Sequence, residues 1–246
     1  MSQQVQYFDG PHGRIAYNKV DGAGPGVIWL GGFRSDMTGT KAEFLHQWAE
    51  RQGRSFLRFD YSGHGHSDGT FENGSIGKWA ADALAVFDAL TNGPQILVGS
   101  SMGAWIATLL AKERADRLAG VVFIAPAPDF TEKLMWPEFT DEQRAMIMDK
   151  GRLEQPSEYS GEPEVITKIL IEDGRNNLVM NGPIEINCPV RILQGMKDAS
   201  VPYAHAIAFA ELLTSSDVEL TLIKNGDHSL STPADLERLA GVLEGI

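Results

Sequence analysis

Short, nearly continuous apolar runs alternate along this chain with longer runs whose apolar residues recur every three or four positions. The first period marks buried strands and the second amphipathic helices. Residues 27–30, 55–59, 95–98, 120–125, 190–193 and 218–223 read as strands, each bounded by turn residues. Between them, 41–51 carries Phe44, Leu45 and Trp48 at helical spacing, and 76–90 carries Trp79, Ala83, Val86, Phe87 and Leu90 on one stripe. Residues 104–112 and 203–213 are also of helical length. Thr232-Pro233-Ala234-Asp235 opens a last helix, with threonine as N-cap and proline in the first turn. Near the start, 5–8 and 14–20 flank Asp9-Gly10-Pro11-His12-Gly13 and form an antiparallel hairpin. The expectation is an α/β fold: a mostly parallel eight-stranded sheet with helices on both faces.

From Asp129 to Asn187 the rhythm breaks. Thr140-Asp141-Glu142-Gln143 is a capping-box start for a helix ending near Gly151, and 164–173 reads as a second helix stopped by Gly174. No strand is expected in this insert. It is too short for a second domain, so 1–246 reads as one domain with a helical cap at about 129–187.

Composition narrows the class without naming it. The chain has 246 residues, 43% of them hydrophobic and 22% charged, enough apolar material for a sizeable core. A formal charge of −12 argues against nucleic acid and anionic membrane surfaces as partners. The single cysteine, Cys188, excludes an internal disulfide and a thiolate metal cluster, and reads as a small buried hydrophobe. Met1 to Gly10 show no secretory signal, and no stretch approaches a membrane span, so a cytoplasmic location is expected. The glycines of 21–26 precede a strand rather than a helix, which rejects a phosphate-binding fingerprint. Neither a cofactor nor a metal is expected.

The chemistry begins at Gly99-Ser100-Ser101-Met102-Gly103, set between an apolar strand and an apolar helix. That context makes a nucleophile elbow, and only Ser101 has a glycine two residues to either side. A serine hydroxyl needs a base, and the base needs an orienting acid. His228 follows the last strand and is the first choice; His64 and His66 are rivals at the same sheet edge, in what reads as a tight turn after Asp60. His12, His46 and His205 are read as surface or packing residues. Asp198, after the 190–193 strand, is the preferred acid, with Asp129 as the alternative; Asp227 is read as a turn residue. The order Ser101, Asp198, His228 is that of the α/β-hydrolase triad. The Met102 amide, at a helix N-terminus, and the Phe33 amide, after Gly31-Gly32, are the candidate oxyanion donors. Trp136, Phe139 and Met146 either roof an acyl site or pack the cap.

Several longer strings carry a family resemblance. They are Gly31-Gly32-Phe33-x-Ser35-x-Met37-x-Gly39-Thr40-Lys41-Ala42, Arg58-Phe59-Asp60-Tyr61-Ser62-Gly63, Gly77-Lys78-Trp79, 93–101, Asn187-Cys188-Pro189-Val190-Arg191, Gly195-Met196-Lys197-Asp198 and Asp227-His228. Through them the chain resembles the α/β-hydrolase subfamily of mitochondrial palmitoyl-protein thioesterases and acyl-glucuronide esterases, with its bacterial relatives. The resemblance implies a serine esterase or thioesterase acting on a small-molecule or acylated-protein substrate. The cap matches that subfamily least, and no transit segment is visible. Carbon–carbon bond hydrolysis with the same triad is the alternative activity, and a ligand-binding module with vestigial hydrolysis is a third reading.

Overall fold

The computed structural model describes residues 4–155 and 164–246. Strands β1 (Gln6–Gly10) and β2 (Gly13–Val20) form the expected hairpin. They are followed by β3 (Ala23–Leu30), β4 (Arg54–Phe59), β5 (Gln95–Ser100) and β6 (Leu118–Ile124). A separate two-stranded hairpin, β7 (Arg152–Gln155) and β8 (Glu164–Thr167), precedes β9 (Val190–Gly195) and β10 (Val218–Ile223). The main sheet has eight strands in the order β1-β2-β4-β3-β5-β6-β9-β10. Pairings β1/β2 and β2/β4 are antiparallel; those from β4 across to β10 are parallel. Parallel register aligns Leu30 with Gly99, Ser100 with Ile124, Ile124 with Leu193 and Gly195 with Ile223. The loops leaving β3, β5, β6, β9 and β10 therefore meet along one edge, where open α/β sheets place their ligands.

Both faces of the sheet's centre are covered, which is why β5 and β6 and the second half of β3 are apolar on both sides. Val27, Trp29, Ile96, Val98, Val122 and Ile124 point to one side and pack under α1 (Thr40–Gln52) and α7 (Pro233–Glu244). The alternate positions Ile28, Leu30, Leu97, Val121 and Phe123 pack under α2 (Ile76–Leu90), α3 (Met102–Glu113) and α6 (Tyr203–Leu212). The stripe Trp79, Ala83, Val86 and Phe87 on α2 is buried in that second core. Each such fully buried large side chain contributes about 2–3 kcal/mol. Thr232 caps α7 with a reciprocal capping box, and Pro233 occupies its first turn.

Between β6 and β9 the chain leaves the sheet. Helix α4 (Asp141–Lys150) opens on the Thr140–Gln143 capping box and closes at Gly151 with φ of 84°. The expectation of an all-helical insert is corrected here. Residues 164–167 are strand β8, and α5 (Lys168–Asn176) begins only after them. Val165 and Ile166 favour strand through their β-branching, and the Thr167 hydroxyl caps α5 by accepting from the Leu170 amide at 3.2 Å. Gly174 does not stop the helix. It lies inside α5, where an added Cβ would run into Thr131 Oγ1 and stand 3.4 Å from the Trp105 ring. The insert has a small core of its own in Phe139, Ile147, Leu153, Ile166 and Ile171. Phe139 is thus a packing residue, Met146 is 37% exposed, and the Trp136 ring lies 4.5 Å from the Arg175 guanidinium. Among the described residues, no helix is long and apolar enough to cross a membrane.

Candidate active site

The turn from β5 into α3 works because its neighbours are glycine. A Cβ on Gly99 would stand 2.5 Å from the Gly103 carbonyl oxygen, and one on Gly103 would run into the Leu30 and Gly31 carbonyls. Ser101 sits between them at φ 54°, ψ −118°, a conformation that costs a non-glycine residue about 1–3 kcal/mol. Its backbone is held by three bonds. Its amide donates to Ile124 O at 2.9 Å, while its carbonyl accepts from Ala104 and Ala127 at 3.0 and 3.2 Å. Ser100, by contrast, ends the strand, buried and in register with Ile124.

Five non-glycine residues have positive φ among the described residues: Arg34, Ser101, Ala125, Asp129 and Leu230. They lie in the loops after β3, β5, β6 and β10, all at the same sheet edge. Backbone strain collects at functional sites because the surroundings are built to hold it there.

His228 reaches this edge from the loop after β10. Its Nε2 is 3.1 Å from Ser101 Oγ and its Nδ1 is 2.8 Å from Asp198 Oδ2. With a carboxylate oxygen at Nδ1, that nitrogen carries the proton and Nε2 is left to accept from the serine. Asp198 follows β9 and is buried. Its Oδ1 accepts from the Ser200 and Val201 amides at 2.9 and 2.8 Å, and its Oδ2 also accepts from Gln194 Nε2 at 3.2 Å. Burial alone pushes this carboxyl up, but the bonds from His228, Val201 and Gln194 together hold it below the usual carboxylate range. It is a carboxylate wherever His228 needs one.

Met102 begins α3, so its amide has no partner within the helix and lies at the positive end of the helix dipole. Phe33 follows Gly32, where an added Cβ would be 3.4 Å from Ser101 Cβ. The Phe33 ring packs edge-on against Phe71, Trp79 and Phe130, with centroids 4.9, 6.0 and 5.6 Å away. A cleft of about 310 Å³ opens onto Ser101 and His228. Trp29 and Phe33 give it an aromatic wall; Ser35, Asp36, Thr40, Lys41, Ser229 and Ser231 line the rest.

The rival residues are elsewhere engaged. Asp129 is fully buried, with its two oxygens accepting from the Val179 and Met180 amides at 2.8 Å each. It ties the insert to the end of β6 and is not brought to a histidine–serine pair. His64 is buried among Tyr61, Phe71 and Trp79, and burial pulls its imidazole down to about 4. His66 stands 3.6 Å from Asp60, whose Oδ2 also takes the His66 amide. His12 meets Asp82 at 3.0 Å, His205 meets Pro128 O at 2.9 Å, and His46 is buried in α1. Asp227 accepts from the Leu230 amide at 2.9 Å. Cys188 is a free, half-buried thiol. Among the described residues, no cluster of three His, Cys, Asp or Glu side chains could hold a metal ion.

Two members of the site escaped the sequence reading. Gln194 was a single polar residue closing an apolar strand, and that polarity was its only signal. Lys41 sat in the string Gly39-Thr40-Lys41-Ala42 but read as an ordinary first-turn helix residue.

Comparison with known proteins places this geometry in a lineage. Residues 27–170, more than half of the chain, match the family described as "Serine aminopeptidase, S33". Bovine palmitoyl-protein thioesterase ABHD10, a mitochondrial protein, is 37% identical over 233 residues, covering 94% of this chain and 76% of its own. The crystal structure of a putative hydrolase from Agrobacterium vitis S4 superposes with a TM-score of 0.94 at 45% identity, covering 100% of this chain and 99% of that one. Mouse alpha/beta hydrolase domain-containing protein 10 gives 0.91 at 33% identity, covering 98% and 97%.

Proposed function

The chain belongs to the α/β-hydrolase family of serine hydrolases, close to the ABHD10 thioesterases, and from that premise we propose that it cleaves acyl esters or thioesters through Ser101, His228 and Asp198. The observation that carries this reading is the continuous contact from Ser101 Oγ to His228 at 3.1 Å and from His228 to Asp198 at 2.8 Å. In the proposed reaction Ser101 Oγ attacks the acyl carbon while His228 Nε2 takes its proton. Asp198 fixes the imidazole tautomer and stabilises the imidazolium that forms. The alkoxide develops between the Phe33 and Met102 amides, each donor supplying about 3–4 kcal/mol of transition-state stabilisation. Collapse expels the alkoxide or thiolate, which takes the proton back from His228. Water deprotonated by His228 then releases the acid from the acyl-enzyme.

The aromatic wall around Phe33 supports an apolar acyl group, and the relatives named palmitoyl-protein thioesterase support the thioester option. The test is labelling with a fluorophosphonate followed by intact-protein mass measurement. One adduct is expected on the parent and none on Ser101→Ala, which also loses hydrolysis of acyl esters and thioesters. An adduct of equal yield on Ser101→Ala sinks the assignment.

A further inference from the structure

The loop that carries His228 is held differently on its two sides. Upstream, Gly226 is fixed by backbone bonds: its carbonyl accepts from Lys197 at 2.9 Å and its amide donates to Ile223 O at 3.0 Å. A Cβ on Gly195 would meet the Gly226 and Asp227 carbonyls, so that half is pressed against the end of β9. Downstream, the Leu230 side chain is buried in the core, and the polar bonds of Ser229 to Ser231 within the loop are local. Among the described residues, the hydrogen bonds joining this downstream half to another element come from Lys41, in the first turn of α1. Its Nζ donates to Ser229 O and lies 3.5 Å from Ser231 Oγ.

Ser229 is the residue after His228, so the orientation of its carbonyl and the direction of the imidazole are coupled through one Cα. We propose that Lys41 is a positioning residue: by holding the Ser229 carbonyl it aims His228 Nε2 at Ser101. This rests on the assignment of Ser101 and His228 above. A cation suits the task because its hydrogen bond to a carbonyl is stronger than a neutral one. Lys41 stands on α1 and Ser229 in the loop after β10, so the bond also fixes the distance between α1 and the loop.

The charged groups facing Lys41 are Asp227 in the loop, Asp235 at the start of α7 with Arg238 bonded to it at 3.0 Å, and Asp36 before α1, with His228 itself on the cleft. Burial pulls the ammonium down to about 8, against the attraction of Asp227 and Asp235. Above that pH the amine is neutral and its grip on the carbonyl weakens.

The test uses the full chain, a short acyl ester and the variants Lys41→Met, Lys41→Arg and Ser101→Ala. Lys41→Met should lower kcat roughly ten- to hundred-fold with KM within about three-fold, since misplacement of a catalytic group by about 1 Å costs up to ~100-fold. Fluorophosphonate labelling should slow in the same proportion. The parent's kcat should decline with a midpoint near pH 8, and that alkaline limb should be absent from Lys41→Arg, which stays charged. A folded Lys41→Met that keeps kcat within two-fold, or changes KM alone, overturns the proposal. Should that variant fail to fold, the parent's pH profile decides, and a kcat flat from pH 7 to about 9.5 overturns it too. An active Ser101→Ala would instead bring down the site assignment, so the two failures are distinct.

Discussion

Gln194 and His228 share one oxygen of Asp198: the glutamine Nε2 donates to Oδ2 at 3.2 Å and the imidazole Nδ1 at 2.8 Å. Gln194 is fully buried, and the same amide nitrogen also reaches Gly195 O and Val201 O. The strand that leads into the acid therefore also supplies one of the donors that keep it ionised, beside His228 and Val201.

Gln194→Leu should consequently do two things. It removes a buried donor, lowering stability by about 1–3 kcal/mol, and it lets the Asp198 carboxyl rise. Because Asp198 sits below its unfolded value, its contribution is present above about pH 4 and is lost as pH falls through the folded value. In the variant the contribution is smaller and is exhausted at a higher pH, while kcat falls about ten-fold. Urea unfolding at pH 7 and at about pH 3 checks the sign: the gap between parent and variant should narrow in acid.

The two candidate acids separate cleanly by mutation. Asp129→Ala strands the Val179 and Met180 amides and should lower stability by about 2–4 kcal/mol, leaving kcat of the folded protein within a few-fold. Asp198→Asn forfeits the stability its carboxylate contributes above about pH 4, so it should melt below the parent, and it should reduce kcat by roughly three orders of magnitude or more. Reversed results would exchange their roles.

His64 makes the protein acid-sensitive. Its imidazole is buried neutral, with a value of about 4 against 6.5 unfolded, so the unfolded chain binds the proton first. Stability from this group is complete above about pH 6.5 and disappears by pH 4, a difference of roughly 3 kcal/mol. His64→Phe, which keeps a ring among Tyr61, Phe71 and Trp79, should flatten the melting-temperature profile over that interval. An unchanged slope would falsify the assignment of this sensitivity.

Two glycines predict opposite phenotypes. Gly103→Ala drives a methyl into the Leu30 and Gly31 carbonyls and should lower stability by several kcal/mol. Gly32→Ala meets Ser101 Cβ and Ser100 O only at ordinary contact, 3.4 Å. It should fold with a melting temperature near the parent's and keep ester hydrolysis within a few-fold, because the methyl fits without displacing Ser101. Thermal unfolding and ester hydrolysis of the two purified variants distinguish these outcomes.

The central strands of the main sheet were legible in the sequence because they are buried on both faces and so written as short apolar runs. The caps at Thr140 and Thr232 were legible because they are local. Ser101, Asp198 and His228 could be chosen from their loops, since parallel strands deliver successive loops to one edge. What could not be read depends on partners distant in sequence. The segment 164–167 pairs with 152–155, and that partnership, not its own periodicity, makes it a strand. Gly174 looked like a helix stop but answers to the Thr131 side chain packed against it. Lys41 acquires meaning only from a loop near the other end of the chain, while Gln194 acquires its meaning from the turn just after it, at Asp198 and Val201.

Phe33 belongs to two bodies at once. Its ring packs against the main core and also touches the separate small core of the insert, while its backbone lies beside Ser101. The insert is therefore no free appendage: besides this ring it is tied to the body through Asp129 with the Val179 and Met180 amides and through Trp105 Nε1 on Asn177 O. Variation in selectivity can proceed in the insert only where it respects these shared anchors.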